Sequence, residues 1–332
     1  MISAAANANI ALIKYWGRRD EELVLPNNNS ISFTMDEQLQ TITTVEFDQK
    51  LSRYELHLDG KPANEKETTR VVRFLEIVRA MAKTRSYAKV VSKNSFPKAA
   101  GLASSASGFA ALAAAASKAA GLELTESQLS ALARRGSGSA ARSIAGGAVE
   151  WLSGKKKDGS DCYAVQISPT EKWTDLRNVI AITNSHEKKV GSSDGMKITT
   201  ETSSLYKARL KSVEQRLETV RQAIKENNFE KMATAIMQES NNMHAIMLDS
   251  WPPIVYLNKT SFEIMENVLE LNASYGKPVA AYTFDAGPNA HVYTTSKYED
   301  EIRSALREVQ GIEKIMTCKV GNGIRYHKQH LI

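Results

Sequence analysis

Residues Pro97 to Leu112 read P-K-A-A-G-L-A-S-S-A-S-G-F-A-A-L, and the interpretation of the chain turns on them. Small side chains gather where a backbone has to approach a ligand closely, and Gly101 permits a tight turn. Ser104, Ser105 and Ser107 add hydroxyls, and from Ala106 an alanine-rich run predicts a helix to about Ala120, stopped at Gly121. A helix N-terminus offers unpaired N–H groups and the positive end of its dipole, which suits a phosphate. The same pattern also serves as a plain structural cap, so its meaning depends on the rest of the chain. It is neither a G-x-x-x-x-G-K-[ST] loop nor a dinucleotide fingerprint.

Working outward, 332 residues allow one large domain or two ordinary ones, and 42% apolar with 24% charged residues is a globular mixture. No run of about 18 apolar residues occurs, so no membrane span is expected. The N-terminus lacks a basic region followed by an apolar core, so no secretory signal is expected. Two cysteines, Cys162 and Cys318, fit a reducing compartment and make a cytoplasmic protein the default. The formal charge is +6, and the basic run Lys155 to Lys157 reads as a solvated hairpin tip, so no nucleic-acid partner is expected.

Upstream, Ile10 to Tyr15 predicts a buried strand ending at Trp16-Gly17. Lys14 inside it needs a partner, because an isolated buried charge is costly. It either reaches water at the strand end or points at an anionic ligand. Glu65 to Met81 predicts an amphipathic helix, and Thr125 to Gln128 is a capping box opening another. Gly136 to Ser143, G-S-G-S-A-A-R-S, is a second backbone-rich polar turn, in which Arg142 offers a fork for a carboxylate or phosphate. Gly191 to Gly195 reads as a third small polar turn, followed by a long helix from Thr202 to Ile224 and another from Phe229. Val279 to Tyr293 gives two strands around Asp285-Ala-Gly-Pro-Asn289, either an ordinary hairpin turn or a carboxylate aimed into a cleft. Taken together, the loops hold a phosphate cradle, cations and one carboxylate, the parts that phosphoryl transfer requires. No Cys/His nucleophile pattern and no H-E-x-x-H spacing competes.

The residues resemble a known family. P-K-A-A-G-L-A-S-S-A-S looks like the phosphate loop of the galactokinase, homoserine kinase, mevalonate kinase and phosphomevalonate kinase (GHMP kinase) superfamily. The motifs A-N-I-A-L-I-K-Y-W-G from Ala8, A-R-R-G-S-G-S-A-A-R-S from Ala133, G-S-S-D-G-M from Gly191, Q-E-S-N-N-M-H-A from Gln238, W-P-P-I-V-Y-L-N from Trp251 and T-F-D-A-G-P-N-A from Thr283 narrow it to the mevalonate diphosphate decarboxylases. The resemblance implies a two-part α+β fold. Residues 1–185 would form an ATP-binding α/β part with the β-α-β phosphate loop. Residues 186–332 would form an antiparallel sheet covered by helices and carrying Asp285.

It also implies ATP and Mg2+, a homodimer, and conversion of mevalonate 5-diphosphate to isopentenyl diphosphate. Alternatives within the superfamily are a mevalonate 5-phosphate decarboxylase and a plain small-molecule kinase. Asp285, Arg142 and Asn9 would carry the chemistry. Tyr15, Lys14, Arg18, Ser137, Ser139, Arg142 and Ser192 would hold the substrate. Ala99, Ala100, Gly101, Leu102, Ala103, Ser104, Ser105 and Ser107 would cradle the nucleotide. No protein metal motif is implied, Mg2+ arriving on ATP near Ser105. Two positions depart from relatives: Arg18 replaces a lysine, and Ser193 stands where some have arginine and others threonine.

Overall fold

The computed structural model describes residues 1–96, 104–183 and 190–332. The strand expected over Ile10 to Tyr15 runs from Asn9 to Ile13, and a further strand precedes it. β1 (Ile2–Asn7) and β2 (Asn9–Ile13) are separated by Ala8 alone, yet they enter different sheets. β1 belongs to a six-stranded sheet with β6 (Gln40–Asp48), β7 (Glu55–Leu58), β8 (Lys61–Pro62), β9 (Tyr87–Asn94) and β16 (Arg325–His327), ordered β16-β1-β6-β9-β7-β8. Its pairings are antiparallel except β7 with β9.

Three helices cover this sheet: α1 (Glu65–Ala82), α2 (Ser104–Ala119) and α3 (Glu126–Gly136). Asn64 and Glu67 close a capping box on α1, and Thr125 and Gln128 close the expected one on α3. The alanines of α2 from Ala110 to Ala116 are buried, which lets its backbone lie close to β1 and β6. Leucines or isoleucines there would push helix and sheet apart.

β2 joins β5 (Ser30–Thr34), β10 (Ala148–Trp151) and β11 (Ala164–Ser168) in the order β11-β10-β5-β2. All five residues of β2 are buried, as suits an apolar run covered on both faces. A third sheet, β13-β14-β12-β15, holds β12 (Leu176–Thr183), β13 (Ala280–Phe284), β14 (Ala290–Thr295) and β15 (Ile312–Lys319). Helices α5 (Tyr206–Glu226), α6 (Phe229–Leu248), α7 (Lys259–Ser274) and α8 (Glu299–Glu308) share its core. The same core includes β2 and β5 residues, and Tyr293 Oη donates to the Ile10 carbonyl at 3.4 Å.

The boundary expected after residue 185 falls just beyond β12. β12 precedes that point but pairs with β14 and β15, and β16 returns from the C-terminus to pair with β1. The polar turn expected at Gly191–Gly195 is a correction. Gly191 is an N-cap, and Ser192–Thr202 is helix α4, separated from α5 by a short break. The loop Gly136–Ser143 is tighter than a turn, since Gly138–Ser143 winds as a 3-10 helix.

Candidate active site

β2 runs inward and delivers Lys14 at its end. The following Gly17 has φ +107°, and a Cβ there would lie 1.8 Å from the Tyr206 hydroxyl, which donates to the Trp16 carbonyl at 3.1 Å. Only glycine fits that bend. The bend turns Tyr15 and Arg18, the latter in the short strand β3 (Arg18–Asp20), along one wall of a cleft of about 1200 Å³. β13 arrives from the third sheet and ends at Asp285. Lys14 Nζ donates to Asp285 Oδ1 at 2.7 Å, with the lysine side chain 2% exposed and the aspartate side chain 35%. Burial lowers the Lys14 pKa, and Asp285 opposes that shift. Lys14 therefore points at a carboxylate, and the alternative that it reaches water is set aside.

Arg142 sits at the end of the 3-10 helix and is 2% exposed. Its Nε donates to Asn9 Oδ1 and Ser32 Oγ, both at 3.1 Å, and Nη1 donates to Ser30 Oγ. Every one of these acceptors is neutral. Burial pushes its pKa down to about 10, with Asp285 acting in the opposite sense. Asn9 is itself fixed, donating through Nδ2 to the Ser139 carbonyl at 2.9 Å and Ser143 Oγ at 2.8 Å. A desolvated guanidinium with neutral partners is a natural receptor for a carboxylate.

Tyr15 accepts from Arg18 Nε, and burial raises its hydroxyl to about 12. Arg18 also pairs with Glu21 at 2.6 Å and donates to Ser193 Oγ at 3.2 Å, joining β3 to the start of α4. Ser192 lines the cleft at that helix N-terminus. Ser137 Oγ lies 3.3 Å from both Ser105 Oγ and Ser139 Oγ, so three of the expected hydroxyls form a row. Ser104 and Ser105 open α2 and face the cleft. Ser107 is a correction: it is fully buried, with its hydroxyl 2.7 Å from Thr41 Oγ1 on β6, and it does not line the cleft. Two residues along the helix from Ser105, about 200° of rotation, turn it from the cleft side to the sheet side. Ala99, Ala100, Gly101, Leu102 and Ala103 lie outside the described residues.

Several site residues escaped the sequence reading. Glu239 of α6 is fully buried and accepts from the Lys14 backbone N–H at 3.1 Å, from Arg209 Nη2 at 2.6 Å and from Arg216 Nε at 2.8 Å. An acid inside the methionine-rich face of α6 was the available signal. His291 lines the cleft and His244 packs edge-on to Phe284. Burial pushes both imidazoles down to about 4, so both stay neutral. Cleft-lining cations among the described residues include Lys66, Arg70, Arg73 and Arg135 besides Lys14, Arg18 and Arg142, against the carboxylates Glu21, Glu22, Asp194 and Asp285. The balance favours a polyanionic ligand. A second, mostly apolar pocket of about 140 Å³ opens beside Ser104 and Ser105, lined by Leu58, Val71, Val90, Phe109 and Leu112.

Comparison with known proteins gives the same direction. The family model for the diphosphomevalonate decarboxylase-like N-terminal domain matches residues 6–164, and that for the mevalonate 5-diphosphate decarboxylase C-terminal domain matches 178–328. The chain belongs to the mevalonate diphosphate decarboxylase family. It is 41% identical over 322 residues to the diphosphomevalonate decarboxylase of Saccharomyces cerevisiae, covering 93% of this chain and 81% of that one. The crystal structure of mevalonate diphosphate decarboxylase from Staphylococcus aureus superposes with a TM-score of 0.93 at 38% identity, with 99% of each chain covered. A decarboxylase structure in complex with MVAPP, AMPPCP and magnesium superposes with a TM-score of 0.91 at 41% identity, again with 99% of each chain covered. The GHMP-type α+β fold expected from the motifs is therefore the observed one. No helix among the described residues is long and apolar enough to cross a membrane.

Proposed function

We propose that this chain converts mevalonate 5-diphosphate and ATP into isopentenyl diphosphate, ADP, phosphate and CO2. One observation carries the reading: a paired Lys14–Asp285 shares a cleft with Arg142, whose fork is buried among neutral acceptors. The family relationship supports it, as does the ligand set of the related complex.

The roles follow from the geometry. Asp285 accepts the hydrogen bond of the substrate's tertiary hydroxyl and takes its proton as the oxygen attacks the γ-phosphorus. Lys14 donates to that carboxylate and orients it. Arg142, steadied by Asn9, Ser30 and Ser32, grips the substrate carboxylate and keeps it aligned for loss as CO2 once phosphate departs. Tyr15, Arg18, Ser137, Ser139 and Ser192 hold the diphosphate. Ser104 and Ser105, at the N-terminus of α2, meet the ATP phosphates, together with the small-residue stretch from Ala99 to Ala103. The apolar pocket beside Ser104 takes the adenine. Mg2+ arrives on the nucleotide, beside Ser105. Bound there, it neutralises phosphate charge. We assign the ATP-holding role to the N-terminal part and the catalytic carboxylate to the C-terminal part, in a cytoplasmic homodimer.

The test is incubation with Mg-ATP and, in parallel, mevalonate, its 5-phosphate and its 5-diphosphate, reading ADP and CO2 together. Both products mainly from the diphosphate support the proposal. Both products mainly from the monophosphate move the protein to the other decarboxylase branch. ADP without CO2 makes it a kinase and overturns the roles given to Arg142 and Asp285. Asp285→Asn should abolish CO2 release by roughly 10²- to 10⁴-fold while ADP still binds.

A further inference from the structure

Arg70 stands on α1 at the junction of two cavities. Among the described residues, Arg70, Ser104 and Ser105 line both the 140 Å³ apolar pocket and the large cleft. Its guanidinium lies 5.0 Å from the centroid of Phe109, a residue of the apolar pocket, and Nη2 reaches the Gly136 carbonyl at 3.4 Å. It makes no ion pair among the described residues. The charge that acts on it most is another cation, Arg18, across the cleft. Arg18 is paired with Glu21, and Arg70 adds a second guanidinium to the lining of the cleft, held in place by the stacked ring.

A ligand with an apolar base in the small pocket and a charged tail in the cleft has to pass this junction. We infer that Arg70 is a nucleotide-binding residue, gripping the α- and β-phosphates of ATP and ADP as the chain of phosphates leaves the base pocket. This rests on the nucleotide position proposed above. No sequence motif singles Arg70 out, because it lies in an ordinary amphipathic helix. Topology brings it opposite the start of α2. The fork geometry suits two phosphate oxygens, and lysine would supply the charge without the fork or the stacking.

The experiment compares wild type, Arg70→Gln and Arg70→Lys, each checked for an unchanged melting curve. Affinities for ADP and adenosine are read by competition against a fluorescent ADP analogue, and KM for mevalonate 5-diphosphate is read from CO2 release. Arg70→Gln should weaken ADP roughly ten- to hundred-fold, the loss of one or two charge-assisted hydrogen bonds, while adenosine affinity and the substrate KM stay within about twofold. Arg70→Lys should recover part of the loss. An equal weakening of ADP and adenosine would make Arg70 a wall of the base pocket and overturn the inference. So would a raised KM for mevalonate 5-diphosphate with ADP binding intact, or no change at all. A wild-type protein that neither binds ADP nor releases CO2 would instead bring down the function on which the inference rests.

Discussion

Arg142 and Arg209 are both withdrawn from solvent, at 2% and 1% exposure, and they are compensated in opposite ways. Arg209 meets the fully buried carboxylate of Glu239 at 2.6 Å and the Asn242 amide oxygen at 2.8 Å, and Arg216 shares the same carboxylate. Its charge is answered within the chain. Among the described residues, Arg142 hydrogen-bonds an amide and two hydroxyls and lies over the Trp151 ring, so its charge is dispersed and not matched. The first arrangement is complete when the protein folds, and the second when an anion enters. A buried cation with an internal partner thus reads as architecture, and one with neutral partners as a receptor.

Breaking the two sites separately should give opposite signatures. Arg142→Gln should lower kcat/KM for the diphosphate substrate by roughly 30- to 5000-fold, corresponding to about 2–5 kcal/mol, as measured by CO2 release. Its urea midpoint should stay level or rise, because a desolvated charge has been removed. Glu239→Gln should do the reverse. It leaves Arg209 and Arg216 uncompensated and should cost about 3–5 kcal/mol in urea unfolding. Activity at low temperature should suffer mainly through Lys14, whose backbone N–H Glu239 accepts.

Acid should sharpen the contrast further. His244 and His291 are held neutral, down at about 4, whereas unfolded histidines titrate near 6.5. Below about pH 6.5 the unfolded chain therefore binds protons that the folded chain refuses, and stability falls until about pH 4. The two together should contribute up to ~2.7 kcal/mol per pH unit in that window, read from urea midpoints at several pH values. His291→Gln should halve this share. The smallest effect belongs to Ser107→Ala, which should cost about 1 kcal/mol of stability through its lost bond to Thr41 and leave ADP affinity unchanged.

The local parts of this architecture were legible in the sequence, and the pairings were not. The α2 helix, the Thr125–Gln128 capping box, and the strands flanking Asp285 follow from short-range patterns that the fold respects. Asn9, Tyr15, Lys14, Arg18, Ser137, Ser139, Arg142, Ser192 and Asp285 do meet in one cleft. Ser107 was misread because a loop-to-helix boundary hides which hydroxyls rotate toward the sheet. The first turn of α4 was misread because Gly-Ser-Ser-Asp-Gly looks like a turn until a helix follows it. Glu239 and Arg209 lie thirty residues apart in the chain, as the span of their hydrogen bond records, and only the packing of α5 on α6 joins them. Arg70 needed the juxtaposition of α1 with the start of α2.

The last strand carries a consequence for biosynthesis. β16 shields the open side of β1, and the segment before it docks on the N-terminal part. Gly147 N–H donates to the Gly321 carbonyl at 3.0 Å, and Ile324 N–H to the Ile144 carbonyl at 2.9 Å. A ribosome that has released three hundred residues has therefore not yet supplied the edge that β1 requires. Until Arg325–His327 emerges, the nascent chain presents a strand ready to recruit a neighbour. β1 waits for β16, which makes loss of the segment carrying β16 a route to aggregation and not merely to a shortened chain.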